Sequence, residues 1–135
     1  MTASAVQETG TGLGRIGQIA MGVRDLDAAV AFYRDALGLR LLFTAPPGLA
    51  FFDCAGVRLM LARPEDGAAS TGNSTLYFTV PDIHAAHAAM AARGVPFVDA
   101  PHLIARLPDR EVWMVFLKDP EENLLGLMSE VPIVA

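Results

Sequence analysis

A chain of 135 residues, 53% of them hydrophobic, is long enough to bury a core as one domain without a disulfide or a structural metal. Its net charge of −5 repels a phosphate backbone, which argues against nucleic acid as a partner, and its apolar stretches fall short of the ~18 to 20 residues that cross a bilayer. The single cysteine, Cys54, can form no internal bridge, and no charged segment followed by an apolar run opens the chain, so a cytoplasmic location is expected.

With only 19% charged residues, the chain carries more apolar material than a small monomer hides. Some of it is expected to line a pocket or a subunit interface, and a homodimer is the expected assembly.

In chain order, Met1 to Gly14 is small, polar and glycine-punctuated, and reads as a disordered leader to a single domain over 15–135. Ile16 to Val23 alternates as a strand. Asp25 then stands where it can cap a helix over Leu26 to Leu37, whose Leu26, Val30, Tyr33 and Leu37 recur at helical spacing, and Gly38 closes it. Three short strands follow at Arg40 to Thr44, Leu49 to Cys54 and Val57 to Ala62, separated by Pro46-Pro47-Gly48 and Ala55-Gly56. Pro64 to Asn73 reads as a linker. The plan then repeats: a strand from Ser74 to Val80, a helix from Ile83 to Arg93 capped by Asp82, and strands from Phe97 to about Ile104, Glu111 to Leu117 and Asn123 to Ser129. A turn at Asp119 to Glu122 joins the last two, and Glu130 to Ala135 forms a tail.

The repetition is also visible in the residues. Gln18 to Ala29 recurs as Thr75 to Ala86 at a constant offset of 57. Two equal βαβββ modules, 16–62 and 74–129, are therefore expected in an α+β fold, with matching positions facing each other across a cleft.

Val-x-Asp-Leu-Asp-x-Ala-x-x-Phe-Tyr-x-x-x-Leu-Gly-Leu from Val23 to Leu39, with Asp-Pro-x-x-Asn-Leu-Leu from Asp119 to Leu125, resembles the glyoxalase, bleomycin-resistance and extradiol-dioxygenase group, the vicinal oxygen chelate superfamily. The resemblance spans Ile16 to Ser129 and implies a cup-shaped mixed sheet around a small-molecule site. That superfamily includes lyases, epimerases, dioxygenases and drug-binding proteins, so the fold does not name the activity. The usual glycine of the Asp-Pro-x-Gly-Asn turn is replaced by Glu122.

The resemblance also implies four metal-ligand positions, and they hold Gln18, Met60, Thr75 and Gly126. Strand alternation puts Gln18, Ala20 and Gly22, and likewise Thr75, Tyr77 and Thr79, on one face. An amide, a thioether and a hydroxyl supply too little charge for a divalent ion, so no metal or other cofactor is expected. A minority alternative joins Gln18 to His102 and Glu111 as ligands. His84 and His87 on the second helix read as a solvent-facing pair.

The expected lining of the cup is Met60, Met128, Leu124 and Trp113 as an apolar wall, with Gln18, Arg58, Thr75 and Tyr77 as directed polar groups. Arg58 is suited to a carboxylate, enolate or phosphate, and Gly126 to an open floor. His102, with Arg106 and Glu111 near it in sequence, is the candidate general base of a metal-independent isomerase or lyase. Phe51 and Phe52 are expected in the core, and Cys54 is expected to be buried and inert. Two functions stand side by side: a ligand-sequestering protein and such an enzyme, with a metal-dependent lyase, epimerase or dioxygenase as the alternative.

Overall fold

The computed structural model describes residues 12–13, 15–64 and 74–133, so most of the expected leader and linker lies outside the described residues. Among the described residues, eight strands and two helices follow in order. The first half holds β1 (Gln18–Gly22), α1 (Leu26–Ala31), β2 (Arg40–Ala45), β3 (Leu49–Cys54) and β4 (Val57–Ala62). The second holds β5 (Leu76–Thr79), α2 (Ile83–Ala92), β6 (His102–Arg106), β7 (Arg110–Lys118) and β8 (Leu124–Pro132). The fold is α+β, as the residues suggest.

Each half folds into its own four-stranded mixed sheet, ordered β1-β4-β3-β2 and β5-β8-β7-β6. In each the first strand pairs parallel with the last, and the other pairings are antiparallel. The same residue types start each helix for the same reason: Asp25 Oδ1 accepts the Ala28 N–H and Asp82 Oδ1 the Ala85 N–H, both at 3.1 Å. Past Ala31 the first helix widens over Phe32–Ala36, where the Leu37 N–H reaches back five residues to the Phe32 carbonyl at 3.0 Å. That turn carries Tyr33 inward, fully buried.

Period-two alternation sorts the strands into faces. Leu59 and Leu61 of β4, Phe52 of β3, Val115 and Leu117 of β7, and Leu125 and Leu127 of β8 join Val23, Ala29, Tyr33 and Ile83 in one core under the helices. Each fully buried aliphatic or aromatic side chain is worth roughly 1.5 to 3 kcal/mol relative to exposure. Along β1 and β4, Gln18 lies beside Arg58 and Ala20 beside Met60 on the opposite face. Tyr77 and Gly126 occupy that face in the second half.

Two expected strands have other bounds. The strand expected from Phe97 begins at His102, because Phe97 makes only an isolated bridge to Leu117 and the Asp99 side chain accepts the Phe116 N–H at 2.9 Å, taking a donor a neighbouring strand would use. The last strand continues through the expected tail to Pro132, paired with Arg110 of the long β7. Its terminal proline sits where no ladder N–H is needed. Glu122, in the glycine position of the final turn, adopts φ +67°.

Candidate functional site

On the face of the first sheet away from the helices, Arg58 is held in place. Its Nε donates to Gln18 Oε1 at 2.8 Å, and the guanidinium carbon lies 5.5 Å from the centre of the Phe51 ring. Phe51, expected in the core, is instead half-buried here and stacks on Phe43 at 4.5 Å, while Phe52 on the other parity is fully buried. Gln18 also points its amide nitrogen at the Met60 sulfur, 3.9 Å away.

The second sheet is arranged differently on this face. Tyr77, 47% exposed, lays its ring over Gly126, where an added Cβ would lie 2.6 Å from Tyr77 Cδ2. The floor expected to be open at Gly126 is therefore filled by Tyr77, which also meets Phe116 edge-on at 5.8 Å. Met128 pairs with Met114 and Thr79 in the register of the same face. Thr75 just precedes β5, and its side chain is half-buried.

Where the halves dock, their repeat is broken. Tyr33 Oη donates to Asp119 Oδ2 at 2.7 Å, joining the first helix to the β7–β8 turn. Asp119, 2% exposed, also accepts the backbone N–H groups of Glu121 and Asn123 and the Asn123 side-chain amide, at 2.8 to 2.9 Å. Burial, with the Asp119 carboxylate beside it, raises the Tyr33 phenol far above its ordinary range, so it stays a donor. Beside this clasp, Glu121 accepts the Asp25 N–H at 3.0 Å and pairs with Arg24 at 3.3 Å.

The offset of 57 takes Tyr33 to Met90, and the paired registers Phe51↔Met60 and Phe116↔Gly126 take Asp119 to Cys54. A thioether and a thiol cannot repeat the clasp, and both residues line a cavity of about 420 Å³ between the halves. Its walls include Ile19, Leu59, Leu76, Phe78, Val80 and Leu127, all from the helix-facing side of the strands. Arg58, Tyr77 and Thr79, each exposed, form its rim, with Asp53 close by. Burial, followed by the Asp53 charge, raises the Cys54 thiol above its ordinary value, which keeps it a weak nucleophile.

The residues at the family's metal positions do not fit a divalent ion. The Gln18 amide oxygen already accepts from a guanidinium, a fixed positive charge that opposes a second cation. Gly126 offers no donor, and the space above it holds a phenol ring. Among the described residues, no three His, Cys, Asp or Glu side chains converge as ligands.

The remaining expected site residues lie away from the cavity. Glu111 and Trp113 share the parity of Val115 and Leu117 and so face the helix side, opposite Gln18's face. Trp113 Nε1 donates to Glu111 Oε1 at 3.2 Å, and Glu111 also pairs with Arg106 at 3.2 Å. His102 is exposed on edge strand β6, its Nδ1 3.0 Å from the Ala100 carbonyl and 3.6 Å from Asp99 Oδ2. Gln18, His102 and Glu111 thus do not gather as a ligand set. Of His84 and His87, expected to face solvent as a pair, His84 is exposed and His87 half-buried, and they pack edge-on to two different rings, Trp113 at 5.2 Å and Phe97 at 4.4 Å.

Comparison with known proteins agrees with this architecture. A lactoylglutathione lyase from Agrobacterium tumefaciens is 25% identical, with 88% of this chain and 96% of that chain covered and a TM-score of 0.65. A glyoxalase/bleomycin resistance protein/dioxygenase from Alicyclobacillus acidocaldarius is 26% identical over 86% of this chain and 91% of that one, with a TM-score of 0.67. A virulence protein from Salmonella typhimurium, 19% identical, shares the fold at a TM-score of 0.73, covering 90% of this chain and 100% of its own. A search of curated proteins finds no match. Residues 15–127 match the family description, and the chain belongs to the Glyoxalase/Bleomycin resistance protein/Dioxygenase superfamily.

Proposed function

We propose that this protein binds a small, mostly apolar organic molecule in the cavity between its halves, without a metal, and sequesters it rather than transforming it. The observation that carries this reading is the cavity of about 420 Å³ left where Met90 and Cys54 replace the Tyr33–Asp119 clasp. Its size falls within the roughly 300 to 1,000 Å³ of small-molecule sites, and its apolar walls with a few polar groups at one end match their usual chemistry. Sequestration is preferred to turnover because His102 and Glu111, the acid–base candidates, do not line it.

The test is calorimetric titration of chelator-treated protein with 2-naphthol, followed by recovery of the compound. Saturable one-to-one binding with the compound unchanged is expected. Met90→Trp, which fills the cavity, should abolish binding while the protein stays folded. Binding that survives Met90→Trp would refute the site.

A further inference from the structure

We infer that the cavity selects monoanions: a flat apolar body bearing one carboxylate, whose head lies against the Arg58 guanidinium at the rim. The inference rests on the proposed cavity reading and adds the class of ligand. Arg58 is the one cationic side chain lining the cavity among the described residues. No carboxylate among them lies within ion-pair distance of it, whereas ion pairs elsewhere in the molecule, such as Arg106–Glu111 at 3.2 Å, close their charges on each other.

Its orientation is already set. With Nε–H bonded to Gln18 and the guanidinium plane over Phe51, the donors remaining are the two terminal NH₂ groups. Their parallel N–H bonds match the two oxygens of a carboxylate, and little side-chain entropy is left to lose on binding.

Charge count limits the head group to a single negative charge. Asp53 lines the same cavity and pairs with Arg58 in the β3–β4 register, and its Oδ1 is occupied by the Gly56 N–H at 3.1 Å. One guanidinium beside one carboxylate gives no surplus with which to hold a dianion such as a phosphate monoester, whereas the directed bonds of Arg58 suffice for a carboxylate. The ligand's body then extends from the rim along Tyr77 toward Met90.

The experiment compares 2-naphthoate with its neutral isostere 2-naphthamide and with 2-naphthyl phosphate, by calorimetry at pH 7, on wild type and Arg58→Gln. Wild type is expected to bind the carboxylate at least about tenfold tighter than the amide, a difference of ~1.4 kcal/mol, and tighter than the phosphate. Arg58→Gln should bring carboxylate and amide to parity, chiefly through loss of carboxylate affinity. Gln18→Ala, which frees the guanidinium without removing it, should narrow the preference in part. Equal binding of carboxylate and amide by wild type would overturn the inference and leave the cavity reading standing. A carboxylate preference retained in Arg58→Gln would overturn it too. Binding of none of the three compounds would overturn both.

Discussion

Tyr33 Oη lies 2.7 Å from Asp119 Oδ2, and this contact fastens the first helix to the last turn across the two halves. Its partner in the repeat would join Met90 to Cys54, which cannot make it, so one seam is clasped and the other holds a cavity. Tyr33→Phe keeps the ring and removes only the hydroxyl, leaving the buried Asp119 short of one donor. The expected loss is about 1.5 to 3 kcal/mol, read as a lower urea midpoint at unchanged slope. A change below about 0.5 kcal/mol would show that the clasp is not a stabilising contact.

Glu121 gives the docking a pH dependence of known sign. The Asp25 N–H, then Arg24, hold its carboxyl below the usual glutamate value. A group whose folded pKa is lowered stabilises fully above its unfolded value, ~4.3, and that contribution is lost as pH falls through the lowered folded value. Wild type should therefore exceed Glu121→Gln in stability at pH 7, with the gap closing as acid is added below about pH 4.3. Denaturation midpoints of both proteins at pH 7 and in that acid range check this, and parallel curves would contradict it.

Gly126 is required by Tyr77. An alanine there places its Cβ 2.6 and 2.9 Å from two ring carbons and 3.3 Å from Phe116 Cε1. Gly126→Ala should cost about 1 to 3 kcal/mol, or the half-exposed Tyr77 ring must swing out. In a Tyr77→Ala background the same substitution should cost much less, and a double-mutant cycle measures the coupling. Additive effects would mean that the ring is not what excludes a side chain.

Metal addition should leave stability unchanged. An ion at about a hundred times its dissociation constant adds roughly 2.7 kcal/mol to a protein that binds it, a shift of several degrees for a domain of this size. Melts of chelator-treated protein with Ni, Zn, Mn, Fe(II) or Mg are expected to coincide. A rise with one ion would restore the metal-dependent alternative.

The sequence displays what is local or repeated. The offset of 57 and the capping aspartates place both helices, and alternation sorts Gln18 from Ile19 and Tyr77 from Phe78. Facing in the second half's middle strands was less legible, because the parity of Trp113 and Glu111 follows from the long β7–β8 register and not from hydrophobicity. The side-chain bond from Asp99 that delays β6 has no pattern of its own in the chain. The two equal modules imply a cleft between the halves, but strand alternation places its lining on the Gln18 face, whereas docking opens the cavity on the helix-facing side. The sequence signal for that side is the replacement of Tyr33 by Met90 at the offset of 57; the equivalence of Asp119 and Cys54 follows from the strand registers.

Methionine methyl NMR tests the account most directly, because Met90 lines the cavity while Met60 and Met128 lie on the strands' other face. On titration of metal-free, methyl-labelled protein with 2-naphthoate, the Met90 methyl should shift saturably while those of Met60 and Met128 stay in place. Shifts at Met60 and Met128 with Met90 unmoved would put the ligand on the opposite face and contradict the account.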